Sequence, residues 1–208
     1  MNKMDFYNKQ NKLSTFAFIY ELPKIIILTI SLLKTKSSLV LLEIIHCVND
    51  AINSLITFSL CKVFIKNKNI EKTKRQKLEI IISIICDLMI IIGLSSFIYL
   101  SLHKLNGYST HHDLDIVIGL TLLSIFFDIY FLRKQKELVK ESNNILAKTE
   151  LSTAIEDIIF DIIELISLII AESRFAYMTP ILCIVIAIYA IFESIERIRE
   201  QYLLYKDF

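Results

Sequence analysis

Six runs of about 20 mostly apolar residues, each long enough to cross the hydrocarbon core of a bilayer, leave this 208-residue chain few ways to fold. They fall at 13–33, 39–65, 78–102, 114–132, 151–171 and 178–198. In lipid a backbone amide must find its partner within the same segment, so runs of this length and composition are helices. The chain has only 3 Gly and 2 Pro, so breaks are few; Pro23, inside the first run, is the expected kink. The expected fold class is all-α: a polytopic membrane protein, a six-transmembrane-helix bundle. Residues 1–208 are expected to form a single transmembrane domain, with no soluble domain after the last helix and no cleavable leader before the first.

The basic residues orient the bundle. Lys3, Lys9 and Lys12 precede the first run, and Lys62, Lys66, Lys68, Lys72, Lys74, Arg75 and Lys77 lie around the second connection. Arg133, Lys134, Lys136, Lys140 and Lys148 lie around the fourth, and Arg197, Arg199 and Lys206 close the chain. The opposite side carries only Lys34, Lys36, Lys104 and Arg174. Both termini are therefore expected to be cytoplasmic, and one missed span would scramble the alternation. The expected location is the cell membrane, as a multi-pass integral protein embedded in lipid. A formal net charge of +1 gives no electrostatic footprint for nucleic acid. Cys47, Cys61, Cys86 and Cys183 lie in or beside apolar runs without a C-x-x-C spacing, and are expected to be buried, inert thiols.

Ionisable groups inside such runs are costly and call for partners. The second run carries His46 and Asp50, and the fifth carries Asp157 and Asp161. Positions four apart share one helix face. If the two helices face each other, one imidazole and three carboxyls converge, a ligand set for a divalent metal ion. Zn²⁺ is favoured by the count of four, and Fe²⁺, Mn²⁺ and Co²⁺ are also suited. The plainer alternative is that the two pairs merely satisfy each other. Glu164 lies one turn beyond Asp161 and is expected to line the same cavity, while Glu43 and Glu156 flank the pairs. Asp87 in the third run needs a partner, for which Lys24 is the candidate. The segment 109–115 contains His111, His112, Asp113 and Asp115; it is either a weak metal site or an acidic first turn complementing a helix dipole.

The order of residues from Ser37 to Asp50 (a Ser, an apolar run, Glu43, then His46-x-x-x-Asp50) resembles the second transmembrane helix of the cation diffusion facilitator family. Asp157-x-x-x-Asp161, preceded by Leu151, resembles the matching pair on that family's fifth helix. The resemblance extends from about 13 to 199 in helix number, orientation and basic loops. It implies a proton-coupled exporter of divalent metal cations, with His46, Asp50, Asp157 and Asp161 as the metal site and metal and protons as the exchanged partners. Two departures are expected to matter. The family's cytoplasmic metal-binding domain is missing from this reading, so a homodimer would have to form through the transmembrane helices, with 193–208 a candidate surface. The loop after the second run carries Lys where zinc-handling relatives carry His, so it supplies no His relay.

An intramembrane enzyme is not expected, because no G-x-G-D and no paired Asp with nearby Gly and Arg occurs. A non-transporting membrane scaffold or metal sensor derived from such an exporter is the alternative.

Overall fold

The computed structural model describes residues 3–35, 38–67, 70–104, 115–142, 145–171 and 179–206. They form six helices: α1 (Lys3–Thr35), α2 (Ser38–Lys66), α3 (Lys72–Lys104), α4 (Asp115–Ser142), α5 (Ile145–Ala171) and α6 (Thr179–Lys206). The expected six-helix bundle is observed, and there is no strand among the described residues. Four of the helices carry stretches long and apolar enough to cross a membrane, within 5–34, 40–66, 73–99 and 115–142. In α5 the four acids Glu156, Asp157, Asp161 and Glu164 dilute the apolar run. The segment with His111 and His112, Arg174 and the side chain of Cys183 lie outside the described residues.

The bundle is polar within and apolar without. Ile26, Ile92, Phe126 and Phe192 are between 61% and 70% exposed, whereas Lys24, Glu43, Asp87, Asp161 and Glu164 are at most 5% exposed. In water such an outer face would cost roughly 25 cal/mol per Å² of apolar surface; against lipid it costs nothing. Hydroxyls on the helices bond back to their own backbone, as in Thr29 to the Ile25 carbonyl (2.7 Å) and Ser96 to the Ile92 carbonyl (2.8 Å). This lets a Ser or Thr sit in an apolar helix without an unpaired donor. α1 runs as one helix through Pro23.

The helices pack most extensively in three pairs, α1 with α2, α4 with α5 and α3 with α6. Each pair is antiparallel: Tyr7 meets Phe64 while Lys24 meets Glu43, Leu138 shares a core with Leu146 while Asp128 reaches Asp161, and Ser83 meets Gln201 while Leu94 shares a core with Ile186. Two apolar cores result. One, around Leu28, Leu42, Phe97 and Leu168, lies within the spans. The other, built from Phe6, Tyr7, Leu60, Phe64, Leu138 and Leu146, lies at the basic ends of the helices. Here the helices outrun the apolar segments: α1, α3 and α5 begin earlier and α4 and α6 end later than hydropathy indicates. The Arg75 guanidinium covers the rings of Tyr7 and Phe64 at 5.1 and 5.0 Å, and the Tyr7 hydroxyl donates to Glu79 at 2.8 Å. This end behaves as a small water-soluble core, apolar inside with charge outside.

Candidate metal site

Both helices that carry the predicted ligands present a continuous polar stripe. On α2 it runs Glu43, His46, Asp50, Asn53, Thr57; on α5 it runs Glu150, Asp157, Asp161, Glu164. Steps of three, four and seven keep these side chains on one face of each helix. Running antiparallel, the stripes meet along their length. Thr57 donates to Glu150 at 2.6 Å at one end, and Glu43 meets Glu164 at the other.

Midway, His46 Nε2 lies 3.4 Å from Asp50 Oδ2 and 3.9 Å from Asp157 Oδ1. One ligating atom from each of the three lies within 4.8 Å of the others. In a tetrahedral zinc site with bonds near 2.0 Å, neighbouring ligand atoms are about 3.3 Å apart, so the three need only a slight contraction to share an ion. The spacings are longer than good hydrogen bonds, so mutual satisfaction of the two pairs is not what holds them there. The Phe160 ring stacks on the imidazole, centroids 4.2 Å apart and planes 25° apart, and fixes its plane. Beside the same turn of α2, Gly93 of α3 lies where an added Cβ would be 3.1 Å from Asn49 and Ile45. Glycine lets α3 approach the turn between His46 and Asp50 without displacing these side chains.

The site is half-buried, with side-chain exposures of 15%, 22% and 21% for His46, Asp50 and Asp157. It separates two cavities of about 50 Å³ each. One lies between α2, α3, α5 and α6 and is bordered by Glu156, Glu193 and Arg197. The other lies between α1, α2, α4 and α5 and is bordered by Glu21, Asp128 and Glu150. Asp50, Thr153 and Asp157 border both. Glu21 and Asp128 are visible in the sequence as acids within apolar runs but have no assigned place in the site, and Glu150, one heptad before Asp157, continues its stripe.

Asp161, the fourth expected ligand, turns elsewhere. Its carboxyl lies with those of Glu43 and Glu164, ligating atoms within 4.8 Å, and all three residues are at most 1% exposed. The structure therefore brings three of the four together and sets the fourth one turn along, in a second acidic group. Glu164 belongs to that second group and does not line the cavities beside His46. The expected pairing of Lys24 with Asp87 is incorrect. Lys24 Nζ bonds Glu43 at 2.6 Å, and Asp87 accepts from Arg197 Nε at 2.8 Å and from Gln201 at 3.2 Å. The reason is helix order: α3 packs extensively on α6, and α1 on α2. Arg197 also pairs with Glu156 of α5. Cys47, Cys61 and Cys86 are free and buried, as expected. Asp115 is the first residue of α4, where its charge complements the helix dipole.

Among curated proteins none matches this chain. Its residues 15–204, almost the whole sequence, do match the cation efflux transmembrane domain, which accords with six helices, a polar interior and acids meeting an imidazole inside the bundle. The chain belongs to the cation efflux family of membrane cation transporters.

Proposed function

We propose that this transporter exports a divalent metal ion, Zn²⁺ ahead of Fe²⁺, Mn²⁺ or Co²⁺, in exchange for protons, through a site on α2 and α5. His46, Asp50 and Asp157 are the ligands, and Asp161 completes the set by turning one rotamer toward them. The observation that carries this reading is the meeting of His46, Asp50 and Asp157, whose ligating atoms lie within 4.8 Å of one another with no Lys or Arg paired to them among the described residues. Each ligand binds metal only when deprotonated. Loading the ion therefore expels protons, and reprotonation from the other side expels the ion. The two cavities support alternating access, since the wall between them is made by the same Asp50 and Asp157 that would hold the metal. Closing one cavity and opening the other exposes one site to two solutions in turn.

In this reading both termini face the cytoplasm of a cell membrane, and any homodimer forms through the transmembrane helices. The test is Zn²⁺-driven proton flux in proteoliposomes. Asp50→Ala and Asp157→Ala should each abolish it; undiminished flux in either removes that residue from the site. A panel of Zn²⁺, Fe²⁺, Mn²⁺ and Co²⁺ in the same assay orders the substrates.

A further inference from the structure

One turn along both stripes from His46 and Asp157, the second acidic group is closed off from water. Glu43 and Glu164 are 0% exposed and Asp161 is 1% exposed. Both oxygens of Asp161, both of Glu164 and one of Glu43 lack a hydrogen-bond donor. What lies near them is more carboxyl: Asp128 reaches Asp161, and Glu43 reaches Glu164. The other Glu43 oxygen receives the Lys24 ammonium at 2.6 Å and, at 3.5 Å, the Cys47 thiol. Lys24 is itself only 5% exposed. An ammonium thus sits at the edge of a nest of three acids whose remaining oxygens have only other carboxyl groups beside them. The one ammonium pairs with Glu43, while Asp161 and Glu164 are buried with no Lys or Arg paired to them among the described residues, and buried acids of this kind are among the costliest groups a membrane helix can carry.

We propose that Glu43, Asp161 and Glu164 form a second station for the transported cation, and that the Lys24 ammonium is its resident stand-in in this conformation. The proposal rests on the reading of His46, Asp50 and Asp157 as a transport site. Asp161 then has two duties, fourth ligand to the ion at the first site and first ligand to it at the second, so the ion is handed on without leaving carboxylate contact. A lysine suits the part. Its ammonium is a compact point charge on a flexible four-carbon stem, able to fill a cation's place and to withdraw from it, where a guanidinium would hold its carboxylate in a fixed two-point fork. The ligands of the second station are all carboxylate oxygens, which suit hard cations such as Mn²⁺ better than a mixed nitrogen and oxygen set does. Mn²⁺ is therefore the probe.

The experiment removes the first site and then unmasks the second. Purified protein carrying His46→Ala and Asp157→Asn is titrated with Mn²⁺ and followed by electron paramagnetic resonance of the bound ion. This parent should bind none. Adding Lys24→Met should create one Mn²⁺ site per chain, and adding Glu164→Gln to that protein should remove it again. A Lys24→Met protein that keeps the parent's circular dichroism and elution volume yet binds no Mn²⁺ overturns the proposal, because the acids are then content without a cation. Lys24→Arg in the otherwise unaltered chain is the second arm. Transport should slow by about tenfold, about 1.4 kcal/mol on the barrier, while Zn²⁺ binding at the first site stays as it was; undiminished transport overturns the displacement. Zn²⁺ binding that survives both in the His46→Ala, Asp157→Asn parent and in that parent carrying Glu164→Gln would instead count against the first site, leaving the Lys24 comparison intact.

Discussion

Adjacent residues of α5 serve two opposite arrangements of acid. Glu156 joins Asp87 of α3 around Arg197 of α6, in a network completed by Ser194 and by Gln201, which reaches Ser83 and Asp87. Asp157, the next residue, joins Asp50 and His46, with no Lys or Arg paired to the three among the described residues. In the first arrangement the chain supplies the cation permanently, and the result is a tie between three helices. In the second the acids border two cavities, with their ligating atoms within 4.8 Å of the imidazole nitrogen and of one another. The difference separates acids that hold the bundle together from acids with no resident cation, which in the proposed function take their positive charge from the transported ion. Chemistry and burial alone do not separate them, since both groups lie inside the bundle.

Removing an acid of the second kind should therefore cost all of the transport and none of the fold. Asp50→Ala and Asp157→Ala should abolish Zn²⁺-driven proton flux while the melting temperature in detergent holds or rises, because deleting one of two facing carboxylates relieves their repulsion. Loss of flux accompanied by a fall of many degrees would place these acids in the structural class and break the comparison. Removing the cation of the first arrangement should do the reverse. Arg197→Met leaves Asp87 and Glu156 buried without their partner, a change worth about 3–5 kcal/mol, seen as a clear fall in thermal stability. Adding Asp87→Asn and Glu156→Gln should recover most of it, since two neutral amides need no guanidinium. An Arg197→Met protein as stable as its parent would show that the tie is ornamental.

Helix number and the meeting of His46, Asp50 and Asp157 were legible in the sequence because each has a local signature. A run of about 20 apolar residues measures the bilayer, and His46-x-x-x-Asp50 on such a run declares a face. Helix ends were not legible. Beyond the lipid the chain changes solvent, and Phe6, Tyr7, Leu138 and Leu146 follow the amphipathic rule of a soluble core, which a hydropathy window cannot see. Partner choice was not legible either. Lys24 was readable as a charge within a span, whereas Arg197 reads as one of the basic residues at the cytoplasmic end; which acid each meets depends on α1 packing on α2 and α3 on α6, and nothing within one helix encodes that. The separation of Asp161 from Asp157 has the same origin. The two share a face of α5, and the side chain opposite decides where each points: His46 for one, Glu43 for the other.

A gentler perturbation tests how finely the site is held. Gly93→Ala would put a methyl 3.1 Å from both Asn49 and Ile45, closer than ordinary carbon contact, at the turn between His46 and Asp50. Overpacking of this kind costs roughly 1–3 kcal/mol, and α2 can relieve it by moving away from α3. The expected result is a fold that survives and a Zn²⁺ affinity lowered by about tenfold, near 1.4 kcal/mol, read by calorimetry. An unchanged affinity would show that α2 absorbs the methyl without shifting its ligands, and that the site is looser than the close packing at Gly93 implies.

The smallest effect should come from the same chemistry placed in water. Lys134 and Glu137 on α4 pair at 2.9 Å beyond the apolar run, with side chains 43% and 59% exposed. The ammonium's hydrogen bond and charge hold the Glu137 carboxyl below its ordinary range, and the carboxylate holds Lys134 above its own. A depressed carboxyl contributes stability above its unfolded pKa that is lost as pH falls through the folded value. A raised ammonium contributes stability below its unfolded pKa that is lost as pH rises through the folded value. The pair is thus intact across the neutral range, yet water and salt screen it and each long side chain gives up freedom to make it. Lys134→Ala should let Glu137 titrate at its ordinary pH, visible by side-chain NMR, and leave the melting temperature at pH 7 unmoved. Were it to match Arg197→Met in stability loss, the contrast between resident and visiting cations could not rest on desolvation. The buried guanidinium would then be no more than another surface charge that happens to face inward.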